Sequence, residues 1–89
     1  MDNKVLIRLI VPEIDESFDV FIPVNELVWK IKKILIKSIS DLSKFSLNIN
    51  DEYILLNKDN STIYKNNDIV INTDIRNGTE LIFVRYSNN

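Results

Sequence analysis

SFDVFIPVNELVWKIKKILIKSI, residues 17–39, changes its hydrophobic period halfway along, and that change decides the fold. Up to Ile22 the pattern alternates, with Phe18, Val20 and Ile22 on one side and Asp19 and Phe21 on the other, as on a half-buried strand. Pro23 stops the strand because its nitrogen cannot donate to a ladder. Asn25 is the expected N-cap, and Glu26 suits the positive end of a helix dipole. From Glu26 to Ile39 the period becomes helical. Leu27, Val28, Ile31, Ile34, Leu35 and Ile39 fall in one broad arc, with Lys30, Lys33 and Lys37 opposite. Trp29, the only tryptophan, lies about 100° from the core positions and starts an outward flank with Lys33 and Ile36. Three readings of that ring follow. The Asp41–Asp51 connection covers it through Phe45 or Leu47, lysine stems shield it by cation–π contact, or the flank is a second docking surface.

Working outward, KVLIRLIV (residues 4–11) also alternates: Val5, Ile7, Leu9 and Val11 face one way, Leu6, Arg8 and Ile10 the other. PEIDES between the two runs has turn chemistry, so residues 4–22 form a hairpin. After the helix, over residues 26–39, YILLN (53–57) is a short strand and KDNS a turn. Residues 62–64 give a brief strand. Asn77-Gly78, holding the only glycine, is the sharpest turn signal, and residues 79–86 form the last strand. Leu81 and Phe83 point one way there, and Ile82, Val84 and Tyr86 the other. The order β-β-α-β-β-β with one long helix is the plan of a β-grasp domain. This is an α+β fold with a mixed sheet of four to five strands packed on one helix, its first and last strands parallel at the centre. That plan buries Val5, Ile7, Leu9, Phe18, Val20, Val28, Ile31, Leu35, Leu81 and Phe83 together.

Composition narrows the chemistry. The 89 residues make one domain. With no cysteine and no histidine, the chain lacks the usual nucleophile, general base and transition-metal ligands. We therefore expect no enzyme and no cofactor. Eleven basic against thirteen acidic residues give none of the basic excess of a nucleic-acid module. No apolar run approaches the ~20 residues that cross a bilayer, so no membrane insertion is expected. MDNK at the start does not read as a secretory signal, so the expected location is cytoplasmic. The neighbouring acids Asp15-Glu16 and Asp51-Glu52 read as solvated turn residues, and NKDNS (57–61) as a turn rather than a calcium loop.

Three stretches carry a family resemblance: DVFIP (19–23), the helix with apolar positions at Val28, Ile31, Leu35 and Ile39, and NNDIVINTDIRNGTELIFV (66–84). In their order, spacing and total length they resemble the ubiquitin superfamily and, within it, the small YukD-like proteins of bacterial type VII (WXG100/Esx) secretion systems. The resemblance implies a ubiquitin-like β-grasp, an accessory or regulatory role by protein–protein recognition, and partners among the machinery on the cytoplasmic side of a membrane-bound secretion complex. Ubiquitin conjugation needs a C-terminal Gly-Gly, and this sequence closes on RYSNN. The alternatives are a modifier or sulfur carrier whose Gly-Gly tail is missing, and a nucleic-acid-binding β-grasp regulator.

The candidate site is the sheet face turned away from the helix. Strand parity places Leu6, Arg8, Ile10, Phe21, Ile82 and Val84 there, with Arg8 and Tyr86 at the edge of the apolar group. So many large apolar groups on one open face mark a docking or dimer surface. Trp29, Lys33 and Ile36 are the secondary surface, beside a basic helix face of Lys30, Lys32, Lys33 and Lys37 that reads first as solvated and otherwise as suited to an acidic partner or an anionic membrane surface.

Overall fold

A computed structural model describes residues 3–86. The elements are β1 (Lys4–Val11), β2 (Glu16–Pro23), α1 (Val28–Leu42), β3 (Tyr53–Asn57) and β4 (Glu80–Arg85). Short 3-10 turns lie at Pro12–Ile14 and Val70–Asn72. The sheet runs β2-β1-β4-β3. β1 pairs antiparallel with β2 and parallel with β4, and β3 pairs antiparallel with β4. This is the β-grasp plan, with four strands. Residues 62–64 supply a single bridge, Leu56 to Ile63, instead of a fifth strand. Residues 87–89, on which the reading of the C-terminal tail partly rests, lie outside the described residues.

Each junction has a local cause. Pro12 opens the β1–β2 turn, and Asp15 closes it in the left-handed region (φ 53), which a short polar side chain tolerates. Asn77-Gly78 feeds β4 beside β1. Gly78 has φ +88 and donates its N–H to Leu6 O at 2.8 Å, while the Leu6 N–H donates to Asn77 Oδ1 at 2.8 Å. The helix begins two residues later than the sequence suggests, and Asn25 does not cap it. Leu27 occupies the N-cap position without a side-chain bond. The first helical amides find acceptors elsewhere: Val28 donates to Asp68 O (2.8 Å) and Trp29 to Asn66 O (3.2 Å). At the other end Ser43 donates its backbone N–H and its hydroxyl to Ile39 O, which closes the last turn.

The core forms between α1 and one face of the sheet. Ile7, Leu9, Val11, Ile22, Val28, Ile31, Leu35, Ile39, Leu55, Leu81 and Phe83 are all buried. Each such side chain contributes about 1.5–3 kcal/mol by leaving water. Val5 and Phe18, expected in this core, are half-buried against it. Phe18 sits on an edge strand and Val5 near the start of β1, at the margin of what the helix covers. The helix is also turned relative to the sequence reading: Ile36 is buried and Ile34 exposed. Tyr53, Tyr64, Val70 and Ile75 from the second half complete the core. Among the described residues no helix is long and apolar enough to cross a membrane.

Candidate protein-docking face

Register fixes the open face row by row. Leu6 lies opposite Phe21 on β2, Arg8 between Asp19 and Glu80, and Ile10 between Ser17 and Ile82. On the far side Ile82 pairs with Leu56, and Val84 with Ile54. The six predicted residues therefore share one face, but not one apolar patch. A charged row crosses it: Arg8 pairs with Asp19 at 3.7 Å and Lys58 with Glu80 at 3.6 Å. These pairs are solvent-exposed and contribute little to stability. Their effect is to divide the face in two.

One part is small and open. Leu6 and the 58% exposed Phe21 flank a shallow cleft whose walls also include Asp19, Asn77, Gly78 and Glu80. The other part is broader: Ile10, Ile82, Val84, Ile54 and Leu56 are all half-exposed, and Ile63 extends the row beyond β3 at 60% exposure. Ile54, Leu56 and Ile63 were absent from the predicted site. The alternation in YILLN, with Tyr53, Leu55 and Asn57 buried and Ile54 and Leu56 half-exposed, was the signal that could have placed the first two. Arg8 is central, not peripheral. Tyr86 follows the end of β4 and lines a groove by the helix instead of the rim of this face.

That groove is where the secondary residues lie. Trp29, Lys32, Lys33 and Ile36 form its helical wall; Ile49, Asp51, Glu52, Tyr53, Ile54 and Tyr86 face them. Ile36 is buried in its floor and cannot be an outward docking residue. On the wheel it stands next to Lys32 on the side of the arc that packs toward β3, which the sequence reading left out of the core. Trp29 stays 39% exposed. The connection does not cover it through Phe45, which is itself exposed, or Leu47, which packs on the core. Its residues Ile49 and Asp51 supply the facing wall. The shield on the ring is Lys30, whose Nζ lies 5.5 Å from the centroid. Lys32 donates to Asn66 Oδ1 at 2.8 Å, and burial holds its pKa below the usual lysine value, partly offset by Glu52.

Polar anchors hold the long second half against this frame. The Tyr64 hydroxyl donates to Asp74 Oδ1 at 2.5 Å and accepts from Asn57 Nδ2 at 3.2 Å. Asn60 Nδ2 holds the other carboxylate oxygen at 3.0 Å. Burial and then the Asp74 bond push the Tyr64 pKa up to about 12, while the Tyr64 and Asn60 bonds lower that of Asp74. Asn57 Oδ1 accepts from the Asp59 and Asn60 amides, so the NKDNS run spends these groups on its own turn. Of the predicted turn acids, Asp51 faces Arg85 of β4 at 3.3 Å, and Arg85 also holds Glu13.

No family model matches the chain, and no curated protein matches it. Solved structures do. An N-terminal ubiquitin-like domain determined in solution aligns over 100% of this chain and 81% of its own, with TM-score 0.74 and 18% identity. The ubiquitin-like domain of Plasmodium falciparum Dsk2 aligns over 93% and 99%, with TM-score 0.68 and 17% identity. A chain of the MycP5-free ESX-5 inner membrane complex aligns over 99% of this chain, with TM-score 0.71 and 14% identity, and this chain spans 22% of it. Together with the sheet order, these likenesses define the class: the chain has the ubiquitin-like β-grasp fold.

Proposed function

We propose that this chain is a non-catalytic recognition module, a YukD-like ubiquitin-fold component of a type VII secretion system. It engages another protein of the membrane-bound machinery from the cytoplasmic side. The observation that carries the reading is the half-exposed block Ile10, Ile82, Val84 and Leu56 on a sheet whose other face is closed by α1. Such a block desolvates cheaply against an apolar partner, and the adjoining Arg8–Asp19 and Lys58–Glu80 row supplies charge pairs that set orientation. The type VII assignment is supported by the sequence resemblance and by fold likeness to a chain of the ESX-5 inner membrane complex. Recognition rather than catalysis is supported by a sequence without histidine or cysteine.

The test is co-purification with the type VII membrane components of the source organism, wild type beside Ile82→Asp. We expect recovery of the complex with wild type and its loss with the variant, while both keep the same thermal transition. Failure of the wild type to bind any of these components would overturn the assignment.

A further inference from the structure

The two edges of the sheet are finished differently. The β3 edge is covered by the 62–64 segment, through Tyr64 N–H to Leu55 O (3.0 Å) and Asn57 N–H to Thr62 O (2.8 Å). The β2 edge has no such neighbour among the described residues. Ladder parity says which of its groups are free. Val24 donates to Asn3 O at 2.8 Å, and the β1–β2 register continues from Lys4↔Pro23 to Val11↔Glu16. Ile22, Val20 and Phe18 therefore turn their backbone groups toward β1, and Ser17, Asp19 and Phe21 turn theirs outward. Among the described residues no hydrogen bond reaches those outward amides or carbonyls. Apolar side chains border this edge on both sides: Phe21 on the open face, Phe18 on the covered face. The exposed Ile34 lies on the helix flank turned away from the Trp29 groove.

We propose that β2 is a self-association strand: a second copy of this chain pairs antiparallel with it about a twofold axis at Val20, joining two four-stranded sheets into one. The choice of occupant rests on self-complementarity. In this register Asp19 lies opposite Phe21 of the partner subunit, and Phe21 opposite Asp19 of the partner subunit, so outward groups meet outward groups. Pro23, which has no N–H, meets Ser17 of the partner subunit at the end of the ladder, where it accepts from that N–H and the Ser17 carbonyl is left to water. Sliding by two residues one way would set Asp19 against Asp19 of the partner subunit, like charge on like. Sliding by two the other way would bring Pro23 opposite Asp19 of the partner subunit and shorten the ladder, because Pro23 has no N–H to donate. Sliding by one would set outward groups against inward ones and lose the bonds. A charge in mid-strand ordinarily guards an edge, but in the register about Val20 Asp19 faces Phe21 of the partner subunit and not a like charge, with Arg8 3.7 Å away on its own chain. The twofold leaves both helices on the same side of the joined sheet and both open faces free, so the proposal is independent of the docking reading above.

Sedimentation equilibrium of the full chain from micromolar to millimolar concentration tests it, with amide exchange read in parallel. We expect a reversible dimer in which the Asp19 and Phe21 amides gain protection as concentration rises. Phe21→Pro removes one outward N–H per copy without touching the β1 ladder. It should weaken dimerisation by roughly 10–30-fold, the scale of one net hydrogen bond lost on each strand. Ile82→Asp should leave dimerisation unchanged. A chain that stays monomeric at millimolar concentration overturns the proposal. So does a dimer whose Phe21 amide exchanges as in the monomer, a readout that needs no variant. Dissociation by Ile82→Asp but not by Phe21→Pro would place the contact on the open face and overturn it too.

Discussion

The two faces of the sheet are built from the same strands and much the same residues, yet they meet different fates. On β1, Ile7, Leu9 and Val11 are 1% exposed or less, while Leu6 and Ile10 between them remain in contact with water. On β4, Leu81 and Phe83 are buried and Ile82 and Val84 are not. Residue type does not separate the two sets; position relative to α1 does. The covered face can tolerate no charge because nothing there would solvate it. The open face carries a charged row through its middle. The lesson is that hydrophobicity on the covered face is spent on stability, and on the open face remains available for a partner. Substitutions that move only one of the two properties test this.

The largest effect belongs to the covered face. Ile31→Ala truncates a fully buried helix side chain and should cost roughly 2–5 kcal/mol, read as a lower urea midpoint at unchanged slope. A negligible loss would mean that α1 does not close this face. Next comes Tyr64→Phe, on the polar network that holds the second half to the core. It leaves Asn57 Nδ2 and Asp74 each without one partner and should cost about 1–3 kcal/mol. It also changes the alkaline limb. The Tyr64 pKa is raised to about 12 in the fold, so its contribution is complete below the unfolded value near 10 and fades as pH rises through 12. Tyr64→Phe should flatten that part of the stability curve.

Much of this comparison was legible from strand parity. A period of two assigned Ile7, Leu9, Leu81 and Phe83 to one side and Leu6, Ile10, Ile82 and Val84 to the other, because a strand offers its side chains only two directions. The helix was harder. It has a continuous range of orientations, and Ile34 and Ile36 are chemically identical, so only the packing against β3 could say which is buried. The caps were harder still. Asn25 had the right side chain for the helix start, but the acceptors for Val28 and Trp29 are the carbonyls of Asp68 and Asn66, some forty residues on in the chain, and backbone carbonyls leave no mark in a sequence. The same holds for Tyr64 with Asp74: two ordinary residues whose pairing depends on how the 57–75 segment returns to the core.

On the open face the expected stability change is small and the functional one large. Ile82→Asp adds a charge at a half-exposed position that already lies beside charged neighbours. Stability should move by no more than about 1 kcal/mol. Binding to the proposed type VII partner should be lost. If instead Ile82→Asp unfolds the chain as Ile31→Ala does, the two faces are not distinct in the way argued, and Ile82 is part of the core.

The smallest effect tests whether the covered side depends on charge at all. Asp74 is exposed, yet its carboxylate accepts from Tyr64 and Asn60, and those two bonds lower its pKa below the ordinary value. A carboxylate with a depressed folded pKa stabilises the fold above its unfolded pKa near 4, and the contribution is lost as pH falls through the lower, folded value. Asp74→Asn keeps an acceptor oxygen for Tyr64, removes the titration and turns an amide NH2 toward Asn60 Nδ2, which loses its acceptor. The variant should be slightly less stable than wild type at neutral pH. The difference should narrow as the solution is acidified below pH 4, in paired urea titrations, because the protonated wild-type carboxyl loses its charge-assisted bonds. A gap of undiminished size at low pH would mean that Asp74 acts through shape and neutral hydrogen bonds and not through its charge. The covered face would then be held by packing and neutral hydrogen bonds alone, and the charged row Asp19, Arg8, Glu80 and Lys58 would mark the open face as the side where ionised groups matter.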